Sequence, residues 1–471
     1  MNPDAPGDAS FSLRSLCRGF ASIVLLRLAA STFAASAAAP VSIAFKFPDP
    51  AAAADWKPWS PRDEISPQFS FDPAGGRNGG GALKLAARLP SDFGAWRRQI
   101  PNLRGGTTYR FAAWYRASGV ENERRSVIAR LQWLDAQDKP VKASAQPPEY
   151  PLDVAHEAGW ARMETILRAP EVAAGLDVQL SLGFAPGGSV SWDEVSLTEV
   201  PATPGRIIRA MTVHHRPRNS KSAAANVEEF YALVRQAAAQ KPDIVCLPEG
   251  ITVVSTGKSY PEVGETIPGP TTQRLGALAK ELRTYVVAGI YERVAPAVYN
   301  TAVLIDRDGR VAGTYRKTHL PREEWEGGLT PGDSYPVFDT DFGRVAVLVC
   351  WDLQFPEPWR AVALQGAELV LLPIWGGDER LLPARAIENH AFIVSSSYSM
   401  KSCVVDPVGN MLAEATAASP VATAELHLDE KIYQPWIGNM KTRTWKERRG
   451  DLPWITPEPR PPAVAQPISQ R

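Results

Sequence analysis

An all-β sandwich over residues 40–200, followed by an α/β domain over residues 206–430, is the fold that the sequence predicts. Three observations predict it. The first part is rich in Trp, Gly and Pro, and it alternates apolar with polar residues over short runs, the period of half-buried strands. A stretch with a linker's composition follows, Pro201-Ala202-Thr203-Pro204-Gly205. Beyond it, apolar runs of strand length alternate with segments whose apolar residues return every three or four positions, as on one helix face. At 471 residues and 44% hydrophobic content, the chain is long enough for more than one core.

In the first part, residues 108–116 and 126–133 alternate most clearly, and further strands are expected at 161–167, 177–184 and 189–197. Trp56, Trp59, Trp96, Trp114 and Trp133 have two readings: inner-layer packing, or rings on which a sugar could stack. In the second part residues 206–213 read as a strand. Residues 223–240 read as a helix with Val227, Phe230, Tyr231, Val234 and Ala238 on one face, followed by a strand from Asp243. Leu275, Leu278, Ala279 and Leu282 mark the next helix face, which leads into a strand at Tyr285. Residues 300–314 read as a hairpin around Asp308-Gly309, so antiparallel pairs are expected within mixed sheets. Strands at 345–350, 369–373 and 392–396 complete a set large enough for two packed sheets with helices outside. The tail, 431–471, contains Trp436, Trp445, Arg448 and Arg449, and is expected to wrap a partner subunit or close a pocket. Its Pro-rich end after Pro457 is expected to be mobile.

The N-terminus carries Arg14 and Arg18, then a largely apolar stretch from Phe20 to Ala30, then small residues up to Pro40. This predicts a signal peptide over residues 1–39 and a periplasmic or secreted protein, although Arg27 interrupts the apolar stretch. The stretch is too short to remain as a membrane span, and the alternative is an uncleaved amphipathic leader. Removing it leaves Cys246, Cys350 and Cys403, an odd number, so at least one thiol stays free. The 51 basic residues balance 51 acidic ones, and no like-charge run suggests nucleic acid as a partner. The six histidines form no metal-ligand spacing, and His214-His215 reads as a pair at a strand end.

Three segments carry chemistry. An apolar run ends at Cys350, residues 243–249 end at the carboxylate of Glu249, and Lys317 follows the run ending at Arg316. Strands that stop at a carboxylate, an amine and a thiol can aim all three at one point. A thiol attacks as thiolate, so it needs a base or a nearby cation; Glu249 could be the base and Lys317 the cation. Taken singly, each residue has an ordinary reading, a solvated turn carboxylate or a core cysteine.

Together the segments resemble the nitrilase or carbon–nitrogen hydrolase superfamily, whose members carry Glu, Lys and Cys in this order. The likeness extends through 265–271, 285–291, 299–302, 330–333, 355–357, 366–368 and 385–389, all in family order. It implies a four-layer α-β-β-α sandwich, subunits paired into a homodimer or larger assembly, and no metal or organic cofactor. The implied chemistry has Glu249 as base, Cys350 as nucleophile, and Lys317 with the backbone N–H of Trp351 stabilising the oxyanion. A second glutamate is implied between lysine and cysteine. Glu324 is the choice among Glu323, Glu324 and Glu326, with Glu326 the alternative.

Asp352 stands where nitrile-cleaving members typically carry Glu, so a small-molecule amide or carbamoyl substrate is expected over a nitrile. Leu353 and Gln354 replace the arginine with which some members clamp a substrate carboxylate. Trp375, after a strand end, could wall the acyl pocket; Arg385, Glu388 and Asn389 on a helix read equally as structure or substrate contact. Residues 189–197 resemble the last strand of carbohydrate-binding jelly rolls, which implies a glycan or cell-envelope ligand for the first domain. The expected protein is an exported amidohydrolase. The alternatives are a nitrilase, an N-acyltransferase using the same triad, and a non-catalytic glycan-binding protein.

Overall fold

The computed structural model describes residues 40–142, 147–218, 220–434 and 438–447. The leader expected at 1–39, Trp436, Arg448, Arg449 and the Pro-rich end lie outside them.

Residues 42–199 form two antiparallel sheets. One runs in the order Gln68–Asp72, Ala82–Ala86, Ser189–Glu199, Thr108–Ser118, Trp160–Arg168, Leu152–Glu157, with Ser42–Phe45 also paired to Ser189–Glu199. The other runs Lys57–Trp59, Phe93–Ile100, Gly175–Gly183, Val127–Leu134. Alternate residues of both sheets enter one core, in which Trp56, Phe111, Tyr115, Trp133 and Trp192 are the large members. Burying each such ring contributes roughly 1.5–3 kcal/mol. Two of the tryptophans considered as sugar platforms are therefore inside: Trp56 and Trp133 are 2% and 1% exposed. Trp59, Trp96 and Trp114 are half-buried, and the Arg77 guanidinium lies 3.9 Å over the Trp114 ring. Residue 126 belongs to a helical turn, Glu123–Ser126, because the Asn122 side chain accepts from Arg125 N–H and caps it.

From residue 207 the chain builds two six-stranded mixed sheets. The first has Ile207–Val213, Ile244–Cys246 and Tyr285–Val294 parallel at its centre, with Ala297–Ile305 and Val311–Arg316 antiparallel on one side and Val421–His427 on the other. The second has Arg344–Val347, Leu369–Pro373 and Phe392–Ser396 parallel, flanked by antiparallel Val337–Asp339 and by Ser402–Val405 and Met411–Ala415. Side chains from both sheets share one core, including Ala210, Ile244, Val287, Val345, Leu371 and Val394.

The helices Ala223–Gln236 and Pro270–Leu282 cover the other face of the first sheet with Val227, Phe230, Val234, Leu275 and Leu278. Pro356–Leu364 and Leu381–Asn389 lie against the second sheet through Trp359, Val362, Leu382 and Ala386. Central parallel strands buried on both faces explain the unbroken apolar runs of the sequence.

Two expected boundaries are corrected. The helix expected over 223–240 ends at Gln236, followed by a tight turn that Lys241 closes in the left-handed region at φ 49°. The strand expected over 345–350 stops at Val347. Val349 N–H donates to Asp352 Oδ2 and Asp352 N–H to Val349 C=O, and this pulls the chain into the short helix Cys350–Gln354.

The described part of the tail contacts both the N-terminal sheets and, through Lys441 Nζ to Glu368 Oε1 at 3.4 Å, the second domain of its own chain. Lys431 Nζ donates to Glu149 Oε1 at 3.0 Å and to Ile166 C=O at 3.1 Å. Tyr433 OH donates to Glu149 and Arg124 to the Trp445 carbonyl.

Candidate active site

The strand Ile244–Cys246 continues as extended chain to Glu249, which the fold buries to 2% exposure. A side chain at Gly289 would bring its Cβ within 2.7 Å of Glu249 Cα, so glycine is required there for the neighbouring strand to pass. All of the Glu249 oxygens have donors. Oε1 accepts from Lys317 Nζ at 3.0 Å and Asn300 Nδ2 at 2.7 Å, and Oε2 accepts from Trp375 N–H at 2.9 Å. Its main-chain carbonyl accepts from Tyr398 OH at 2.9 Å.

Lys317 is the first residue after the strand Val311–Arg316, and its N–H donates to Asn300 C=O. Its ammonium, 1% exposed, also donates to Glu324 Oε1 at 2.9 Å. Glu324 lies on the buried side of the short helix Arg322–Glu326, while Glu323 and Glu326 face solvent. Of the three candidate second glutamates, only Glu324 meets the lysine. Asn300, on which no role was placed from sequence, donates to both carboxylates at 2.7 and 3.0 Å. Its signal was the Asn at the start of the 300–314 hairpin, where a polar residue interrupts an apolar strand.

Cys350 is half-buried at a backbone φ of 45°. This is the left-handed region, which costs a non-glycine residue about 1–2 kcal/mol and persists only where the surroundings enforce it. Asp352 supplies the enforcement. Fully buried, its Oδ2 accepts from Tyr315 OH at 2.7 Å and Val349 N–H at 3.0 Å, and its Oδ1 accepts from His319 N–H at 3.2 Å and lies 3.0 Å from His319 Nδ1. One carboxylate thus ties the cysteine turn to the loop that follows Lys317. The Asp352 carboxylate is committed to this scaffold, so the substrate preference inferred from its identity has no contact behind it. Replacing it by alanine leaves several buried donors without an acceptor; we expect Asp352→Ala to lower the unfolding free energy by about 3–5 kcal/mol, measured by urea titration. A loss under about 1 kcal/mol would show the scaffold is held elsewhere. Arg385 acts on the same turn, donating to the carbonyls of Leu353 and Gln354 at 3.1–3.2 Å; this is a structural role.

Electrostatics couple the three side chains. Burial raises the Cys350 thiol well above its usual range, and the Glu249 charge adds to this while Lys317 opposes it. Burial disfavours the Lys317 charge, but the carboxylates of Glu249 and Glu324, joined by Cys350 wherever its thiol is ionised, outweigh it and hold the ammonium above the ordinary lysine value. Burial lifts the Glu324 carboxyl, Lys317 lowers it and Glu249 lifts it again, with a net upward shift. The Cys350 thiol points toward Gly376 C=O at 3.9 Å.

Trp375 is partly buried and packs edge-on against Tyr398 at 5.0 Å, and its N–H fixes Glu249. Trp351 is 40% exposed beside the nucleophile. Cys246 and Cys403 are free and buried in the core. His214 pairs with Ser402 and His215 with Glu229. Among the described residues, no group of three or more His, Cys, Asp or Glu is arranged to hold a metal ion.

A thiol on half-buried Cys350, the buried carboxylate of Glu249 and the buried ammonium of Lys317, electrostatically coupled to one another, suit nucleophilic attack on an electrophilic carbon. Residues 209–432 match the carbon–nitrogen hydrolase family. The chain is 32% identical to the omega-amidase NIT2 of Homo sapiens over 253 residues, 48% of this chain and 90% of that one. It is also 32% identical to a nitrilase of Pyrococcus abyssi over 224 residues, 43% of this chain and 84% of that one. Among solved structures, an amidase from Nesterenkonia sp. aligns at 25% identity and a TM-score of 0.44, over 53% of this chain and 96% of that one. Nit3 of Saccharomyces cerevisiae aligns at 24% identity and a TM-score of 0.44, over 48% and 93%. The chain belongs to the carbon–nitrogen hydrolase family and is an enzyme of that class.

Proposed function

We propose that this protein hydrolyses a linear amide C–N bond through a thioester on Cys350. The observation that carries the reading is a buried Lys317 ammonium held between Glu249 and Glu324, with the Glu249 carboxylate and that ammonium acting in opposite senses on the Cys350 thiol. Because the thiol is raised, it rests protonated and needs a base at the moment of attack. Glu249 takes that proton as Sγ bonds to the carbonyl carbon. The carbonyl oxygen gains the negative charge, which Lys317 Nζ and the backbone N–H of Trp351 stabilise.

Collapse of this intermediate breaks the C–N bond, and Glu249 gives its proton to the departing nitrogen. Water then loses a proton to Glu249 and attacks the thioester, releasing the carboxylic acid and the thiol, which recovers that proton. Glu324 and Asn300 hold the ammonium and the base in register throughout. The name of the omega-amidase relative favours amides, and the nitrilase relative at the same identity is the reason nitriles are included in the test.

The reading extends to an exported homo-oligomer in which residues 1–39 are a signal peptide and the N-terminal sheets bind a glycan or other envelope ligand. The chemistry is tested by ammonia release from amides, carbamoyl compounds and nitriles, with Cys350→Ala alongside. Amide turnover that disappears in the variant supports the reading; turnover of nitriles alone, or equal release by the variant, overturns it. N-terminal sequencing of the same preparation reads export, and an intact Met1 in the cytoplasmic fraction contradicts it.

A further inference from the structure

We infer that the enzyme selects amides bearing an uncharged ring, which it holds between Trp325 and Trp351; this rests on the amidase reading above. A cavity of about 820 Å³ is lined on its apolar side by Leu320, Pro321, Trp325 and Trp351, the last of which directly follows Cys350 in the chain. Its size falls in the range of roughly 300–1,000 Å³ typical of sites for ligand-sized molecules and is generous for a short aliphatic amide.

Two of the lining residues adjoin catalytic residues along the chain. Trp351 follows the nucleophile, and Trp325 follows Glu324 on the helix Arg322–Glu326, where Glu324 turns inward to Lys317 and Trp325 turns outward. Leu320 packs in a small apolar cluster with Tyr291 and partly buried Tyr260 and Trp375, and so connects this wall to the residue whose N–H fixes Glu249.

The two indoles are costly to leave in water, at 65% and 40% exposure. Rings of this kind offer flat, polarisable faces and edges to another ring. Charge narrows the ligand class. Arg322 is paired with Glu326 at 2.8 Å, so the one lining charge left uncompensated is Glu323, which repels a carboxylate. A substrate that carries a second acid group is therefore disfavoured here, and an uncharged aromatic or other ring substituent fits.

The test compares kcat/KM for 3-phenylpropionamide, propionamide and succinamate in the wild-type full chain and in Trp325→Ala and Trp325→Phe. The wild type is expected to prefer the phenyl amide to both others by about tenfold or more. The preference over propionamide should fall toward unity in Trp325→Ala, through KM more than kcat, and return in Trp325→Phe. A wild-type ratio near one, a preference for succinamate, or a ratio unchanged in Trp325→Ala overturns the inference while leaving the amidase reading standing. If Trp325→Ala instead changes the oligomer mass in light scattering with the ratio intact, the indole faces a second copy and the inference fails. Absence of any Cys350-dependent amide hydrolysis removes the amidase reading and this inference together.

Discussion

Glu249→Gln is expected to lower amide kcat/KM by about 10²–10⁴, the usual contribution of a positioned general base, while making Cys350 easier to alkylate. The two effects move in opposite directions because Glu249 does two things. As a base it accepts the thiol proton, and an amide side chain cannot. As a charge it adds to burial in holding the Cys350 thiol up, whereas Lys317 pulls it down. Removing one negative charge leaves the lysine less opposed, so the thiol pKa falls and the pH profile of iodoacetamide modification moves to lower pH. The glutamine oxygen can still accept from Trp375 N–H, while its NH2 replaces the acceptor that Lys317 Nζ and Asn300 Nδ2 shared. Measuring turnover and alkylation across pH on the same preparation separates the two roles. A profile that stays in place or moves upward would show that Glu249 is not the charge beside the thiol, and undiminished turnover would show that it is not the base.

Lys317→Met should abolish turnover and also destabilise the fold by about 3–5 kcal/mol near pH 8, because it leaves two buried carboxylates facing each other without their shared cation. In the wild type that cation donates to both Glu249 and Glu324. The pH dependence has a definite sign. Glu324 is already raised by burial and by Glu249, with Lys317 pulling it down; without the lysine its folded-state pKa rises further. A group whose folded pKa is raised stabilises the fold below its unfolded pKa, and loses that contribution as pH climbs through the folded value. The deficit of the variant should therefore be largest at alkaline pH and shrink toward pH 5, as the carboxyl takes up a proton. Urea titrations of both proteins at pH 5.5 and 8 measure it. A deficit of equal size at both pH values would point to lost packing and not to uncompensated charge.

Much of this architecture could be read from the residues themselves. The strands Leu369–Pro373 and Phe392–Ser396 fall where their apolar runs do, because a central parallel strand buried on both faces writes itself as continuous hydrophobicity. The helix faces of Val227, Phe230 and Val234 and of Leu275 and Leu278 follow the same logic at helical spacing. The short edge strands Lys57–Trp59 and Val337–Asp339 left little trace, since three residues with few buried side chains carry no period.

The order Glu249, Lys317, Cys350, and the preference for Glu324 over its neighbours, came from the sequence and its family resemblance. The amino-acid types and their places after apolar runs determined which chemistry was available. What only the tertiary structure decided is how that chemistry is held. Asn300 bridges two carboxylates, a main-chain N–H of Trp375 anchors the base, and Asp352 belongs to the scaffold that keeps Cys350 in a left-handed turn. None of these is a property of local sequence. Each depends on groups that are distant along the chain being brought within hydrogen-bond reach, where burial makes an unmatched polar atom costly and so fixes its partner.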